Sequence, residues 1–161
     1  MDDIALATLW NEMKDDCAVA AGAFADAEAR FREASPAGLE GCAFQLTRMF
    51  NVVEQMSLRV AKAFENNIDD EKGWHAQLIR RMTLLIPGVR PAFFPDELAH
   101  ELHELRMFRH VFHHAYDLRL DPDKLRLLLK YAGAVAPCLA PSARRFIEGV
   151  SAMHGIAIPS D

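Results

Sequence analysis

A surplus of basic residues is missing from this chain: 18 lysines and arginines stand against 23 aspartates and glutamates, a net charge of -5 with histidines neutral. That balance excludes a broad polyanion-binding surface, so any contact with nucleic acid must be local. Cysteine is scarce. Cys17, Cys42 and Cys138 lie too far apart for a metal knuckle, and their odd number argues against a disulfide framework. They read as reduced, buried thiols of a cytoplasmic protein. Long apolar runs are absent as well. The longest uncharged stretches, Cys17 to Ala25 and Tyr131 to Ala143, are too short to span a bilayer. Met1-Asp2-Asp3 carries the wrong charge for a secretory leader. The expectation is a soluble protein that touches no membrane. Strand-like alternation, a glycine-rich phosphate loop and internal repeats are also lacking.

What is present is a helical rhythm. The 161 residues are 51% apolar and 25% charged, ordinary values for one globular domain spanning 1–161. Leu6, Leu9/Trp10, Met13, Cys17, Ala20, Phe24, Ala27 and Phe31 recur at steps of three and four, one stripe of a long amphipathic helix. Ser35-Pro36-Ala37-Gly38 stops it. Leu39, Cys42/Ala43, Leu46, Met49/Phe50, Val53, Met56, Val60 and Phe64 repeat the pattern. So short a connection makes these two helices antiparallel neighbours.

Asn66 to Asp70 form a polar break, and a shorter helix follows with Trp74, Leu78, Met82 and Leu85 inward. Ile86-Pro87-Gly88-Val89-Arg90-Pro91 is a rigid turn. A fourth helix starts near Pro95-Asp96-Glu97 and buries Leu98, Leu102, Leu105, Phe108, Phe112 and Ala115. Asp121-Pro122 caps and opens a fifth helix running to about Val135, and Pro137 and Pro141 kink or divide it before Ser142 to Met153. The predicted fold is an all-α bundle of about five helices built on a long antiparallel N-terminal hairpin.

One segment does more than fold. Five of the seven histidines lie between His100 and His114, a clustering that packing alone does not require. From Leu105 to Tyr131 the charge balance reverses, with Arg106, Arg109, Arg119, Lys124, Arg126 and Lys130 against Asp117, Asp121 and Asp123. A focused basic patch on an acidic body suits a cleft.

Arg109-His110-Val111-Phe112-His113-His114-Ala115-Tyr116 reads as Arg, four residues, His, one residue, Tyr. This resembles the active-site motif of the HEPN superfamily, and with the tyrosine it resembles the HepT branch of ribonuclease toxins. Gly73-Trp74-His75, the Ile86 to Pro91 turn and His110 directly after the arginine are similar to that subgroup too. The likeness is sharp over Gly73 to Pro122 and architectural elsewhere. It implies a HEPN-like bundle and a metal-independent endoribonuclease with no cofactor, the toxin of a toxin–antitoxin pair, forming a 2′,3′-cyclic phosphate. It further implies RNA rather than DNA as substrate, a homodimer with two motifs facing one another, and a nucleotidyltransferase antitoxin that places AMP on Tyr116.

The chemistry suits those residue types. RNA cleavage without metal uses the substrate's own 2′-hydroxyl, and an imidazole can take or give the proton. A guanidinium can hold the phosphate and the charge growing on its oxygens. Arg109 is therefore assigned to phosphate stabilisation, His114 to acid/base work and His110 to substrate positioning. Helical geometry complicates the pair. At roughly 100° per residue Arg109 and His114 project about 140° apart, whereas Arg109, His113 and Tyr116 nearly align. Either the helix bends or a second subunit completes the site, so His113 and Arg106 stand in reserve.

Other readings compete. His110 and His114, with His100 and Glu97, Glu101 or Glu104, could ligate zinc, but HExxH is absent and Arg109 would repel a cation. His75, His100, His103 and His154 read as structural or exposed. Phe93-Phe94 reads as packing rather than a base-stacking platform, and Arg80-Arg81 and Arg144-Arg145 as solvated faces. A non-catalytic HEPN module that binds nucleotide or assists a nucleotidyltransferase is the main rival, and a purely structural dimerisation domain the third.

Overall fold

The computed structural model describes residues 1–65, 74–114 and 119–159, with the backbone alone for 74–76. Residues 66–73, Ala115, Tyr116 and Asp117 lie outside the described residues, as do the side chains of Trp74 and His75.

The described residues form five α-helices and no strand: α1 Asp3–Arg32, α2 Pro36–Phe64, α3 Trp74–Met82, α4 Ala99–His114 and α5 Pro122–His154. This is the all-α bundle the apolar periodicity predicts. Helix α1 opens on Asp2, whose carboxylate accepts from the Ala5 amide at 2.8 Å. Helix α2 opens on Ser35, whose hydroxyl accepts from Gly38 at 3.0 Å, with Pro36 in the first turn. These caps satisfy amide hydrogens that the first turn leaves without partners. Thirty and 29 residues give two rods of about 45 Å each. They pair with each other along their length, and α5 packs on both while α4 packs on α2 and α5. Their predicted stripes form the core, from Leu6, Met13 and Ala20 to Leu46, Val53 and Val60.

The hairpin turn is tight. A Cβ built on Gly38 would lie 2.6 Å from the Arg30 carbonyl oxygen, backbone that cannot swing aside. Gly38→Ala should therefore cost about 1–3 kcal/mol through overpacking, read as a lower thermal midpoint. A midpoint at or above wild type would contradict this reading of the turn.

Two expectations about the helices need correction. Helix α3 ends at Met82, so Leu85 is 59% exposed rather than inward. The Met82 carbonyl instead accepts from the Phe93 and Phe94 amides, which folds the chain back on itself. Those two phenylalanines are core residues, with Phe93 meeting Phe146 edge-on at 5.4 Å. Helix α5 is continuous through Pro137 and Pro141. Each proline removes one amide donor, and both are exposed, where water can replace the lost bond. No helix of the described residues is long and apolar enough to cross a membrane.

The cysteines are free. Cys42 is buried, whereas Cys17 and Cys138 are only half-buried. Burial and the neighbouring Asp16 carboxylate push the Cys17 thiol up to about 11, and burial alone does the same for Cys42. Both thiols are therefore protonated at neutral pH.

Candidate active site

Helix α4 enters through a 3₁₀ turn, Asp96–Leu98. Leu102 and Leu105 are fully buried, and Phe108 and Phe112 pack at the core's edge. That apolar stripe sets the rotation of the helix. The opposite side then presents His103, Arg106, His110, His113 and His114, four of them exposed and Arg106 half-buried. The clustered histidines form one basic strip along the outside of α4.

Arg109 sits at the border of that strip, facing α2. Its Nε donates to Asn51 Oδ1 at 2.7 Å, and Nη2 lies 3.2 Å from Glu54 Oε2. The Glu54 side chain is 10% exposed and that of Arg109 30%. Side-on pairing of this kind uses one edge of the guanidinium, and these two contacts leave the end-on fork of Nη1 and Nη2 unused. An arginine held this way has a fixed orientation. Glu54 also offsets part of its charge, so its strength toward an anion lies in geometry more than in excess charge.

His114 lies on the far side of the strip. Its Nδ1 is 2.8 Å from the His110 carbonyl oxygen, and the two rings are tilted against each other with centroids 4.5 Å apart. A carbonyl only accepts, so Nδ1 must carry the hydrogen. That leaves Nε2 as the other ring nitrogen, on a residue that is exposed. His110 and His114 stack rather than converge, and no group of three metal-ligating side chains occurs among the described residues.

Within one chain, then, His110 and His114 meet, while Arg109 turns to Asn51 and Glu54. The angular separation expected from an ideal helix persists. His113 and Arg106 are exposed and half-buried respectively; Arg106 lines a separate cavity with Arg80 and His103. His100 packs edge-on against Tyr131 at 5.3 Å, and His154 Nε2 lies 2.8 Å from the Val89 carbonyl oxygen. Both make structural contacts, and both lie outside the Arg109 to Tyr116 motif.

Sequence reasoning missed Asn51 and Glu54. A signal exists: Thr47, Asn51 and Glu54 recur at four and three residues, a polar strip alongside the apolar stripe of α2. Thr47 and Glu54 are buried nonetheless, and a carboxylate buried in a bundle calls for a cation from another element.

Beside the basic strip runs an apolar groove of about 420 Å³ between α4 and the start of α5. Phe108, Leu125 and Leu128 line it, and Met107, Val111 and Leu127 on its edges are 41%, 45% and 46% exposed.

Comparison with known proteins adds one finding. The profile of a family described as HepT-like protein matches residues 41–150, a span that includes most of α2, all of α3 and α4, and most of α5. No curated protein and no solved structure matches the chain.

Proposed function

The chain belongs to the HepT-like protein family, and from that premise we propose that it is a metal-independent endoribonuclease. In this reading it is the toxin of a toxin–antitoxin pair and works as a homodimer. Arg109 and His114 of two copies line one cleft, so that the guanidinium of one chain meets the imidazole of the other. The observation that carries the reading is the 2.8 Å contact of His114 Nδ1 with the His110 carbonyl oxygen, which commits that nitrogen as a donor and leaves Nε2 of an exposed residue for proton transfer.

Nε2 takes the proton of the 2′-hydroxyl, O2′ bonds to phosphorus, and the bond from phosphorus to O5′ breaks. Water protonates O5′, and the hydroxide this leaves takes the proton back from the His114 imidazolium. The products are a 2′,3′-cyclic phosphate and a 5′-hydroxyl. The end-on fork of Arg109 stabilises the negative charge gathering on the phosphate oxygens. A second copy laid on the groove beside α4 would cover Met107, Val111 and Leu127, side chains that a monomer exposes at a cost.

Restraint by a nucleotidyltransferase antitoxin is part of the same proposal. AMP on Tyr116 would add bulk and negative charge two residues from His114, where RNA phosphate must sit. The Arg109–Glu54 pair favours one alternative, a module that binds nucleotide phosphate without cleaving, because Glu54 reduces the charge available for transition-state stabilisation.

Cleavage of RNA in EDTA separates the two. Wild type should cleave, and His114→Ala should be slower by about 10²–10⁴-fold with its circular dichroism unchanged. Equal rates for the two proteins would remove His114 from the chemistry. Nucleotide binding with no cleavage by wild type would establish the alternative.

A further inference from the structure

A second cavity, about 490 Å³, lies between α3 and α4 and is lined by Ile79, Arg80, Thr83, Asp96, His103 and Arg106 among others. We propose that it is a nucleotide subsite of the RNA track, with one backbone phosphate bridged by Arg80 and Arg106. The inference rests on the ribonuclease reading and extends it to residues away from the reacting bond.

The donors are available. Among the described residues neither Arg80 nor Arg106 has a carboxylate partner, and the contact that Arg106 Nη2 makes is with the thioether sulfur of Met107 at 3.3 Å. Sulfur is a weak acceptor, so the guanidinium keeps its capacity for phosphate. The hydroxyl of Thr83 is different: its hydrogen is donated to the Arg80 carbonyl at 2.9 Å. The anion donors are therefore the two guanidiniums and the imidazole of His103. Asp96 is the one carboxylate on the wall. Two permanent cations outnumber it, and a carboxylate beside them can accept from a ribose hydroxyl or a base amino group. A cavity with an anion-binding pole and an accepting pole fits a nucleotide unit better than a bare inorganic anion, and its volume falls within the range of small-molecule sites.

Its position fits a continuous track. Arg106 precedes Arg109 by three residues on one helix, a rise of about 4.5 Å. A strand held at the Arg109 fork can thus continue over α4 toward α3. The sequence reading of Arg80 as a solvated face leaves this out, because the cavity exists only once α3 and α4 are side by side.

The test uses the full chain and a 2′-O-methyl RNA oligonucleotide, which binds but lacks the attacking hydroxyl. Fluorescence anisotropy is followed across a potassium chloride series. Arg80→Gln combined with Arg106→Gln should bind about tenfold more weakly, and its slope of log affinity against log salt should fall by about 0.7, one phosphate's worth for a single strand. Arg80→Lys combined with Arg106→Lys should keep the slope. A control pair on α1 and at the end of α2, Arg32→Gln with Lys62→Gln, should leave both values as in wild type. An unchanged slope in the first variant, an equal loss in the control, or no binding by wild type overturns the subsite. Wild type that binds this RNA but cleaves no unmethylated RNA would sink the nuclease and leave the subsite to be judged by the slope.

Discussion

Arg109→Gln should lower RNA cleavage by about 10²–10³-fold, the usual loss when one preorganised donor to a developing oxyanion is removed. The same substitution should also destabilise the protein, because Arg109 is a guanidinium partner of the nearly buried Glu54 carboxylate. That loss is about 1–3 kcal/mol, or several degrees of melting temperature for a chain of this size. A drop in activity alone would therefore be ambiguous between lost chemistry and lost fold. Combining Arg109→Gln with Glu54→Gln removes both charges and leaves a polar amide at each position. The double variant should recover much of the stability and none of the cleavage. Cleavage restored by Glu54→Gln would mean that Arg109 acts by holding α4 on α2 rather than by holding phosphate.

The second large effect concerns stability alone. Arg90 is completely buried, and all five of its N–H hydrogens have a use. Nε and Nη2 donate to Glu65 Oε1 at 3.0 and 2.7 Å, Nη1 to the Leu84 and Pro91 carbonyls, and Nη2 also to the Arg81 carbonyl at 3.0 Å. Arg81 pairs in turn with the other oxygen of Glu65. This one side chain ties the end of α2 to the turn that carries the chain from α3 to α4. Arg90→Met leaves Glu65 and three carbonyls without that donor set, an expected cost of about 3–5 kcal/mol. The melting temperature should fall by on the order of 10 °C. Arg90→Lys should not rescue it, since a single ammonium cannot reproduce the planar fork. A fall of only a degree or two in Arg90→Met would show the network to be replaceable.

These two arginines mark where the sequence is readable and where it is not. The stripes of α1 and α2 are legible because each is a local period, Leu6 to Ala27 and Leu46 to Val60, and burial follows periodicity directly. The clustering of histidines on α4 is legible for the same reason, as is the angular gap between Arg109 and His114. The partners of Arg109 and Arg90 are not. Asn51 is 58 residues from Arg109, and Glu65 is 25 from Arg90. Helical spacing pairs residues three or four apart and carries no information across such distances. Leu85 was inward by period, but Met82 ends α3 by giving its carbonyl to Phe93 and Phe94. The two prolines of α5 show the converse. Local chemistry predicts an interruption, whereas packing of Leu128, Val135, Leu139 and Phe146 into the core keeps one continuous helix.

The central claim is that a guanidinium and an imidazole from opposite copies act on one phosphodiester. The most direct test mixes two inactive proteins, the Arg109→Gln/Glu54→Gln variant and His114→Ala, under conditions that exchange subunits, and assays RNA cleavage in EDTA. Each mixed dimer keeps an intact Arg109 on one chain and an intact His114 on the other. The mixture should regain cleavage that neither parent has. A mixture that forms mixed dimers and stays inactive would contradict the account.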